Sequence, residues 1–474
     1  MVQDRRSFLK SAMAIAGTGM VPGAIARAVA APREIALRPA PFELALGEAA
    51  AKTRFWGFNE RLPGPAIRVR KGDSLRIVVD NALPVDTAVH WHGLRVPNEM
   101  DGVPYVTQPP IKPGQKFTYS YTAFDSGTYW YHPHQNSHEQ VARGLYGPLI
   151  VEEENPIVVD RDETWVLSDA KLGADGQPVE DFGRVTDLAN EGRLGTVVLI
   201  NGQPANATRA FPVRSGERLR LRLINAASAR IFNLAFEGHK PQVIAHDGQG
   251  VEPYAEDIVA FGPGMRIDLV IDCLQKPGGS FAVVDRHRRS LGALGQLVYS
   301  PDKPLRSKPL KAPIRLAPNR IAEPDIAKAT DHYIVFQGGM RGAPVIGTVD
   351  GKPAKIHEIM EKYGLAWTMN FTAQHEHALM HEPLVYLRKG EHVVLHMVNE
   401  TDFTHPMHLH GHFFRVLAIN GRRTARADWR DTVLMGPRES VDVAFVADNV
   451  GEWMFHCHIL DHAAGGMMGI LAVE

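Results

Sequence analysis

A weak internal repeat restricts the fold of this chain more than any single motif does. A segment that alternates apolar and polar residues, from a glycine to an asparagine, occurs at residues 72–81, 216–225 and 390–399. A second segment, also starting with glycine, occurs at 127–131, 279–283 and 451–455. Alternation with a period of two is typical of a half-buried strand. Three similar Greek-key β-sandwiches, spaced by about 150 residues, would explain both series. We therefore predict an all-β protein of three consecutive sandwich domains.

Length and composition agree with several turn-rich domains. A chain of 474 residues is too long for one ordinary core, and its 43 Gly and 33 Pro favour β structure with many turns. Composition changes near 151–156 and in a Pro- and Lys-rich stretch at 300–318. The third domain carries an additional segment at 338–382, in which residues 354–362 are predicted to form a short helix. We place the three domains at 31–154, 155–310 and 311–474.

The N-terminal residues 1–30 have the features of an export signal. Arg5 and Arg6 precede an apolar stretch at 11–25, and residues 28–30 offer a small-residue cleavage site. The pattern resembles a bacterial twin-arginine signal, which implies passage of a folded protein through the twin-arginine translocon to the periplasm. The apolar stretch is too short for a membrane span, so we expect none in the mature protein. Cleavage would leave 48 Lys and Arg against 52 Asp and Glu, which gives no support for nucleic-acid partners.

The 22 histidines are numerous for the length, and several fall at matched positions of the repeat. The first and third copies each carry two His-x-His pairs, whereas the middle copy has Leu234, Phe236, Val284 and Arg286 there. Eight imidazoles at matched places predict a metal cluster at the interface of the first and third domains. The four pairs are His90 and His92, His132 and His134, His408 and His410, and His456 and His458.

Cys457 lies between two of these histidines. On a strand, His456 and His458 point to one face and Cys457 points to the other, so one peptide can serve two metal centres. Cys457 with His462, Met467 and one more histidine would form a His₂Cys site with a weak axial thioether, as in blue-copper electron-transfer centres. Imidazole alone does not choose between copper, zinc, iron and nickel, but this adjacency favours copper. The other cysteine, Cys273, is predicted to be a buried structural thiol.

The segments 90–93, 130–134, 405–411 and 456–467 resemble those of three-domain multicopper oxidases, the laccase and cuprous-oxidase group. The resemblance spans the whole mature chain and implies cupredoxin-like domains and four coppers per chain. It implies a type 1 copper held by His405, Cys457 and His462, with Met467 as the axial ligand. His90 and His408 would hold the type 2 copper. The type 3 coppers would be held by two sets, which are His92, His132 and His458, and His134, His410 and His456.

The reaction implied by the resemblance couples four one-electron oxidations at type 1 to the reduction of O₂ to two waters. Cys457 would carry the electrons onward. Asp101 lies eleven residues after His90, where the family places an acid near the type 2 copper, and it is our candidate for proton supply. The alternative is an ordinary Asp-Gly turn. Some bacterial relatives carry an acid directly after the second type 1 histidine, but this chain has Ala463 there, which leaves the rest of a proton path open. Asp431 is a candidate for orienting an imidazole, although its position favours a turn at a strand start.

The electron donor is the least determined feature. Related cuprous oxidases carry a long Met-rich insert, whereas the segment 338–382 is only mildly enriched in methionine. The residues next to the type 1 site offer Phe403 and no thioether. We therefore favour a laccase-like oxidase of phenolic or similar small organic donors, which acts as a monomer. The alternatives are a cuprous oxidase in copper tolerance, a copper-storage protein and a cupredoxin-fold scaffold. The methionines and histidines of the segment are Met340, Met360, Met369, Met380, His357, His375, His377 and His381.

Overall fold

The computed structural model describes residues 32–47, 51–287, 292–342, 345–375 and 383–474. The predicted export signal at 1–30 lies outside the described residues, and so do Met380, His377 and His381. Among the described residues, no helix combines the length and the apolar character that a membrane span requires.

Three sets of strands follow one another along the chain. The first set is β1 Arg33–Leu37, β2 Pro39–Ala45, β3 Lys52–Phe58, β4 Ile67–Arg70, β5 Ser74–Asp80, β6 Val89–His92, β7 Lys116–Thr122, β8 Gly127–Pro133 and β9 Gly147–Glu152. The second set is β10 Arg161–Ala170, β11 Val197–Ile200, β12 Gln203–Pro204, β13 Ala210–Val213, β14 Glu217–Asn225, β15 Phe232–Phe236, β16 Gln242–His246, β17 Gln249–Ala255, β18 Val259–Phe261, β19 Arg266–Cys273, β20 Ser280–Asp285 and β21 Ala293–Tyr299.

The third set completes the chain, and short helices connect some of the strands. Its strands are β22 Thr330–Gly338, β23 Ile346–Val349, β24 Lys352–Lys355, β25 Trp367–Met369, β26 Val385–Leu387, β27 His392–Asn399, β28 His405–Leu409, β29 Phe414–Ile419, β30 Arg422–Arg423, β31 Trp429–Arg430, β32 Thr432–Met435, β33 Ser440–Val446, β34 Gly451–Cys457 and β35 Met468–Val473. The helices are α1 Ser137–Gln140, α2 Val185–Leu188, α3 Ile356–Tyr363 and α4 Leu460–Ala464.

The strand order repeats from set to set. One sheet of each set contains the series β1-β5-β7, β10-β14-β19 or β22-β27-β33. The opposite sheet contains the series β4-β9-β8-β6, β13-β21-β20-β15 or β26-β35-β34-β28. In every series the first two strands pair in parallel and the others pair antiparallel. The prediction of an all-β protein with three consecutive cupredoxin-like sandwich domains is thereby confirmed.

Each domain has its own apolar core, formed by the inward residues of its two sheets. Ile77, Leu221 and Leu395 occupy corresponding places in the three cores, and each is at most 1% exposed. Because residues 32–474 form one compact unit, the borders at 154 and 310 stay predictions. Helix α3 at Ile356–Tyr363 overlaps the helix predicted at 354–362, although residues 354–355 belong to β24, and the predicted burial of Cys273 is confirmed.

Strand β14 departs from the expected half-buried pattern. Every residue of β14 is buried, whereas β5, its counterpart in the first domain, alternates as predicted. The polar face of β14 is covered, and its arginines are compensated by carboxylates. Arg220 binds Asp268 and Glu153, both at 2.7 Å, while Arg222 binds Asp162 at 2.8 Å. Paired charges let an alternating strand be buried on both faces.

Candidate metal centres

Four strands, and the residues directly after three of them, bring the eight predicted histidines together. In the first domain, β6 and β8 pair with His90 opposite His132. In the third domain, β28 and β34 pair with His408 opposite His456. Alternation on each strand then directs both histidines of a pair to one face. All eight side chains are buried, with no more than 3% exposed.

The two domains place their histidines face to face. The ring centroids of His90 and His410 lie 3.8 Å apart, and those of His92 and His408 lie 3.7 Å apart. Ligand atoms of His134, His410 and His456 lie within 4.8 Å of one another, as do those of His90, His408 and His410. For the remaining predicted set, the centroids of His458 lie 4.9 Å from His92 and 5.2 Å from His132.

Four of the eight rings are oriented by a backbone carbonyl through Nδ1. A carbonyl oxygen can only accept, so a ring nitrogen bonded to it carries the hydrogen and the other nitrogen keeps its lone pair. The Nδ1 atoms of four histidines donate to carbonyl oxygens in this way. These bonds are His90 to Asp101 at 2.8 Å, His132 to Pro133 at 2.9 Å, His408 to Asp431 at 2.9 Å and His456 to Cys457 at 2.9 Å.

The free nitrogens fit a metal. Within the described residues, the following buried ring atoms have no hydrogen-bond partner: His90 Nε2, His92 Nδ1, His132 Nε2, His408 Nε2, and both nitrogens of His134 and His458. Buried polar atoms without partners are costly, and a coordinated cation would satisfy them. Burial also lowers the pKa of six of these imidazoles well below 6.5, which favours the neutral form that binds metal. They are His92, His132, His134, His410, His456 and His458.

Asp101 joins the histidines of both domains. Its Oδ2 accepts from His410 Nδ1 at 2.8 Å, and its Oδ1 lies 3.2 Å from His90 Nδ1. The residue follows a 3₁₀ turn at Asn98–Met100 and precedes Gly102, whose φ is +84°. Asp101 therefore has the turn position that its sequence suggested and also contacts two predicted ligands.

The second predicted centre lies inside the core of the third domain. Cys457 Sγ lies 3.5 Å from His405 Nδ1 and 3.6 Å from His462 Nδ1, and these two nitrogens are 3.0 Å apart. All three side chains are fully buried. Burial raises the pKa of the Cys457 thiol, so a bound cation is needed to favour the thiolate there. Met467 is fully buried in the same apolar core, and its carbonyl accepts from the Cys457 N–H at 3.1 Å.

Residues other than the predicted ligands surround this centre. His462 Nε2 donates to the carbonyl of Asn190 at 2.5 Å, and His405 Nε2 lies 2.8 Å from Thr401 Oγ1. The ring of Trp367 lies 4.6 Å from that of His462. Asn190 and Trp367 belong to segments without a recognisable motif, and only the fold brings them to the site.

A cavity of about 220 Å³ opens beside His462. Apolar side chains form much of its wall, and charged groups lie among them. The lining residues are Glu191, Leu194, Ala229, Ile231, His287, Arg341, Asp402, Phe403, Thr404, Pro437, Ile459 and His462.

Two further carboxylates, Asp431 and Asp461, are buried in the site region. Asp431 Oδ1 lies 3.4 Å from both His408 Nδ1 and His92 Nε2, so this residue does more than begin a strand. Asp461 Oδ2 accepts from the Arg193 N–H at 2.8 Å, and burial raises the pKa of Asp461 to about 6.

These features define a class of protein with three cupredoxin-like domains, a histidine cluster shared by the first and third, and a Cys-His₂ centre beside it. Family models described as multicopper oxidase match residues 45–156, 177–301 and 349–474. The chain belongs to the multicopper oxidase family and is an oxidoreductase whose cofactor is copper.

Individual relatives agree with this assignment. The chain is 31% identical over 466 residues to multicopper oxidase MmcO of Mycobacterium tuberculosis, covering 91% of this chain and 85% of that protein. It is 26% identical to copper resistance protein A of Escherichia coli, covering 99% of each. The crystal structure of a multi-copper oxidase from Pseudomonas thermotolerans is similar with a TM-score of 0.82 and 31% identity, covering 94% of this chain and 100% of that one.

Proposed function

We propose that this oxidase couples the oxidation of a small organic donor, phenolic or similar, to the reduction of O₂ to water. The supporting observation is the position of Cys457, whose Sγ faces His405 and His462 while its neighbours His456 and His458 lie in the histidine cluster. One short peptide thus connects the two centres through covalent bonds.

The proposed copper ligands follow from the same geometry. His405, Cys457, His462 and Met467 would hold a type 1 copper, and His90 and His408 a type 2 copper. The proposed type 3 ligands are His92, His132 and His458 for one copper, and His134, His410 and His456 for the other. When bound, these coppers would supply one-electron oxidation of the donor and four-electron reduction of O₂.

The chain's own groups orient and protect the reaction. Carbonyl oxygens and Asp101 fix the ring nitrogens, and burial of the cluster excludes bulk water from it. We propose that Asp101 also holds a proton for the oxygen-reducing step, because its carboxylate is next to His90 and His410.

The cavity beside His462 supports an organic donor. Phe403, Ile459 and Leu194 offer apolar contacts, while Asp402 and Glu191 place polar groups in the same wall. Ring-sized donors bind in such clefts, and His462 in the wall gives them direct contact with a proposed copper ligand.

A specific observation favours a second candidate, a cuprous oxidase acting in copper tolerance. The Met340 side chain is half exposed, and its Sδ lies 3.4 Å from the Asn190 Nδ2. Asn190 also accepts from His462 through its carbonyl, so a soft thioether lies near the electron entry. The similarity to copper resistance protein A also supports this second candidate.

Steady-state rates distinguish the two donors. We expect the enzyme to oxidise a substituted phenol with saturable kinetics. The rate of this oxidation should be the same in the wild type, in Met340→Leu and in the matched control Met360→Leu. Saturable turnover of Cu(I) alone, lost in Met340→Leu and kept in Met360→Leu, would instead establish the cuprous oxidase. The storage and scaffold alternatives predict no oxygen consumption with either donor.

Export by the twin-arginine route to the periplasm stays a prediction from the sequence. This route carries proteins that are already folded. The expectation of a monomer is likewise a prediction.

A further inference from the structure

Arg266 of the second domain lies against the histidine cluster. It is fully buried, and its guanidinium binds the Asp431 carboxylate through two parallel bonds, from Nη1 at 2.7 Å and from Nη2 at 2.6 Å. The remaining donors are used as well. Nε, Nη1 and Nη2 donate to the carbonyls of Thr128, Gly264 and Asp247 at 3.1, 3.2 and 3.1 Å. All five guanidinium N–H groups are thus satisfied, and the plane of the side chain is fixed.

Asp431, whose carboxylate is fixed in this way, contacts two imidazoles of the cluster. Its Oδ1 lies 3.4 Å from His408 Nδ1 and from His92 Nε2, and its carbonyl accepts from His408 Nδ1 at 2.9 Å. The ring atoms left without a partner are then His408 Nε2 and His92 Nδ1. Asp431 therefore fixes the tautomer of His408 through its carbonyl, and its carboxylate lies beside the ring nitrogens opposite those that would face the metal.

A second residue of the same domain holds the backbone at this point. Asp247 Oδ1 accepts from the Arg266 N–H at 2.9 Å. Asp247 Oδ2 accepts from the N–H groups of Asp431 and Thr432 at 3.3 and 3.2 Å. The second domain thus hydrogen-bonds to both the side chain and the main chain of Asp431.

Two glycines make room for this approach. A Cβ on Gly93, directly after His92, would lie 2.2 Å from Arg266 Nη2. A Cβ on Gly264, in the loop before β19, would lie 2.7 Å from the ring of His458. Both glycines have positive φ, at +87° and +83°. The close contact between the second domain and the cluster therefore depends on residues without side chains.

We propose that Arg266 is a positioning residue of the oxygen-reducing centre, acting through Asp431 on His408 and His92. The second domain, whose repeat positions carry no ligand, would thereby set the geometry of the type 2 region. A planar fork fixes the orientation of a carboxylate, whereas the ammonium of lysine cannot make two parallel bonds. This inference rests on the copper ligands proposed above.

Copper retention tests the proposal with Arg266→Lys in the full-length, copper-loaded enzyme. Competition with a chelator should remove type 2 copper about 10–100 times more readily than from the wild type. The electron paramagnetic resonance signal of type 2 copper should change, while the thiolate-to-copper absorption band of type 1 stays. A structural role alone would lower stability without this selective effect.

Arg218→Lys is the matched control. Arg218 is also buried in the second domain and binds Asp272 through two bonds, at 2.8 and 3.1 Å. We expect wild-type copper retention from this variant. Equal copper retention in Arg266→Lys and Arg218→Lys would overturn the proposal.

A nearly isosteric variant covers the case in which Arg266→Lys does not fold. Asp431→Asn keeps the shape of the side chain and removes the charge, and it should show the same selective loss of type 2 copper. Unchanged retention in Asp431→Asn would contradict the role of Arg266. A wild-type protein that shows no type 2 signal would instead overturn the proposed function itself.

Discussion

At the scale of single residues, the cluster histidines are constrained by which of their two ring nitrogens is bonded. Nδ1 of His90 and of His408 donates to a carbonyl, and His410 Nδ1 is held by the Asp101 carboxylate. The opposite nitrogen of His90 and of His408 has no partner among the described residues. The protein thereby prepares the lone pairs before any metal binds, which reduces the reorganisation that binding would require.

Asp101→Asn tests the residue that spans two of these rings. The neutral amide cannot hold a transferable proton, and it provides no charge for the His410 Nδ1–H. We expect kcat to fall about 10–100-fold while the type 1 absorption band is retained. Glu99→Gln, an exposed change in the same turn, is the control and should leave kcat unchanged. A wild-type kcat and pH profile in Asp101→Asn would show that Asp101 is only a turn residue.

Residues differ in how far the sequence could predict them. The roles of His456 and Cys457 could be predicted from the sequence, because strand alternation is local and the repeat supplies counterparts at His132 and Pro133. The roles of Arg266 and Trp367 could not be predicted in this way. Their partners, Asp431 and His462, lie 165 and 95 residues away, and no periodic pattern connects them. Their roles arise from packing between segments, which a single sequence does not show.

At the scale of elements, equivalent strands have different surroundings. Arg76 in β5 and Arg220 in β14 occupy the same repeat position. Arg76 pairs with Glu34 at the surface at 3.0 Å, whereas the buried Arg220 contacts Glu153 and Asp268. The alternating pattern correctly predicted a strand in each case. It could not predict burial of the polar face, because that depends on charged partners in other strands and in the preceding segment.

Matched substitutions at this repeat position should therefore have unequal effects. Arg220→Met removes the 2.7 Å ion pairs of two buried carboxylates, which keep only the longer ion pairs with Arg222 at 3.3 and 3.9 Å, and should lower the free energy of unfolding by about 3–5 kcal/mol. Arg76→Met removes an exposed pair and should cost less than about 1 kcal/mol. Denaturant unfolding of both variants measures the difference. Similar losses in the two would contradict the account of β14.

A histidine on β27 gives the third domain a pH-dependent contribution to stability. Desolvation lowers the pKa of His396, but hydrogen bonds to Asp442 at 2.7 Å and Asp331 at 3.1 Å outweigh it and raise the pKa. A raised folded-state pKa stabilises the fold fully below the unfolded value of about 6.5, and this contribution is lost as pH rises through the folded value. Thermal unfolding across pH 5 to 9 should show a decline that His396→Gln removes. An identical pH dependence in wild type and variant would refute this contribution.

At the scale of the whole molecule, the histidines of the cluster come from the first and third domains, and the second domain contacts the residues beside them. Four strands and the residues directly after three of them supply the imidazoles, with two of the strands in the first domain and two in the third. Arg266 and Asp247 of the second domain hold Asp431 beside them. Because residues of all three domains meet at the cluster, we expect copper retention and unfolding to be coupled.

The most direct test is copper quantification together with an absorption spectrum, on the wild type and on Cys457→Ser. We predict about four coppers per chain and an intense thiolate-to-copper band in the wild type. Cys457→Ser should lose the band and turnover while the histidine cluster still binds copper. Fewer than about four coppers after full loading, or a wild type without the band, would contradict the assignment of Cys457 as the link between two copper centres.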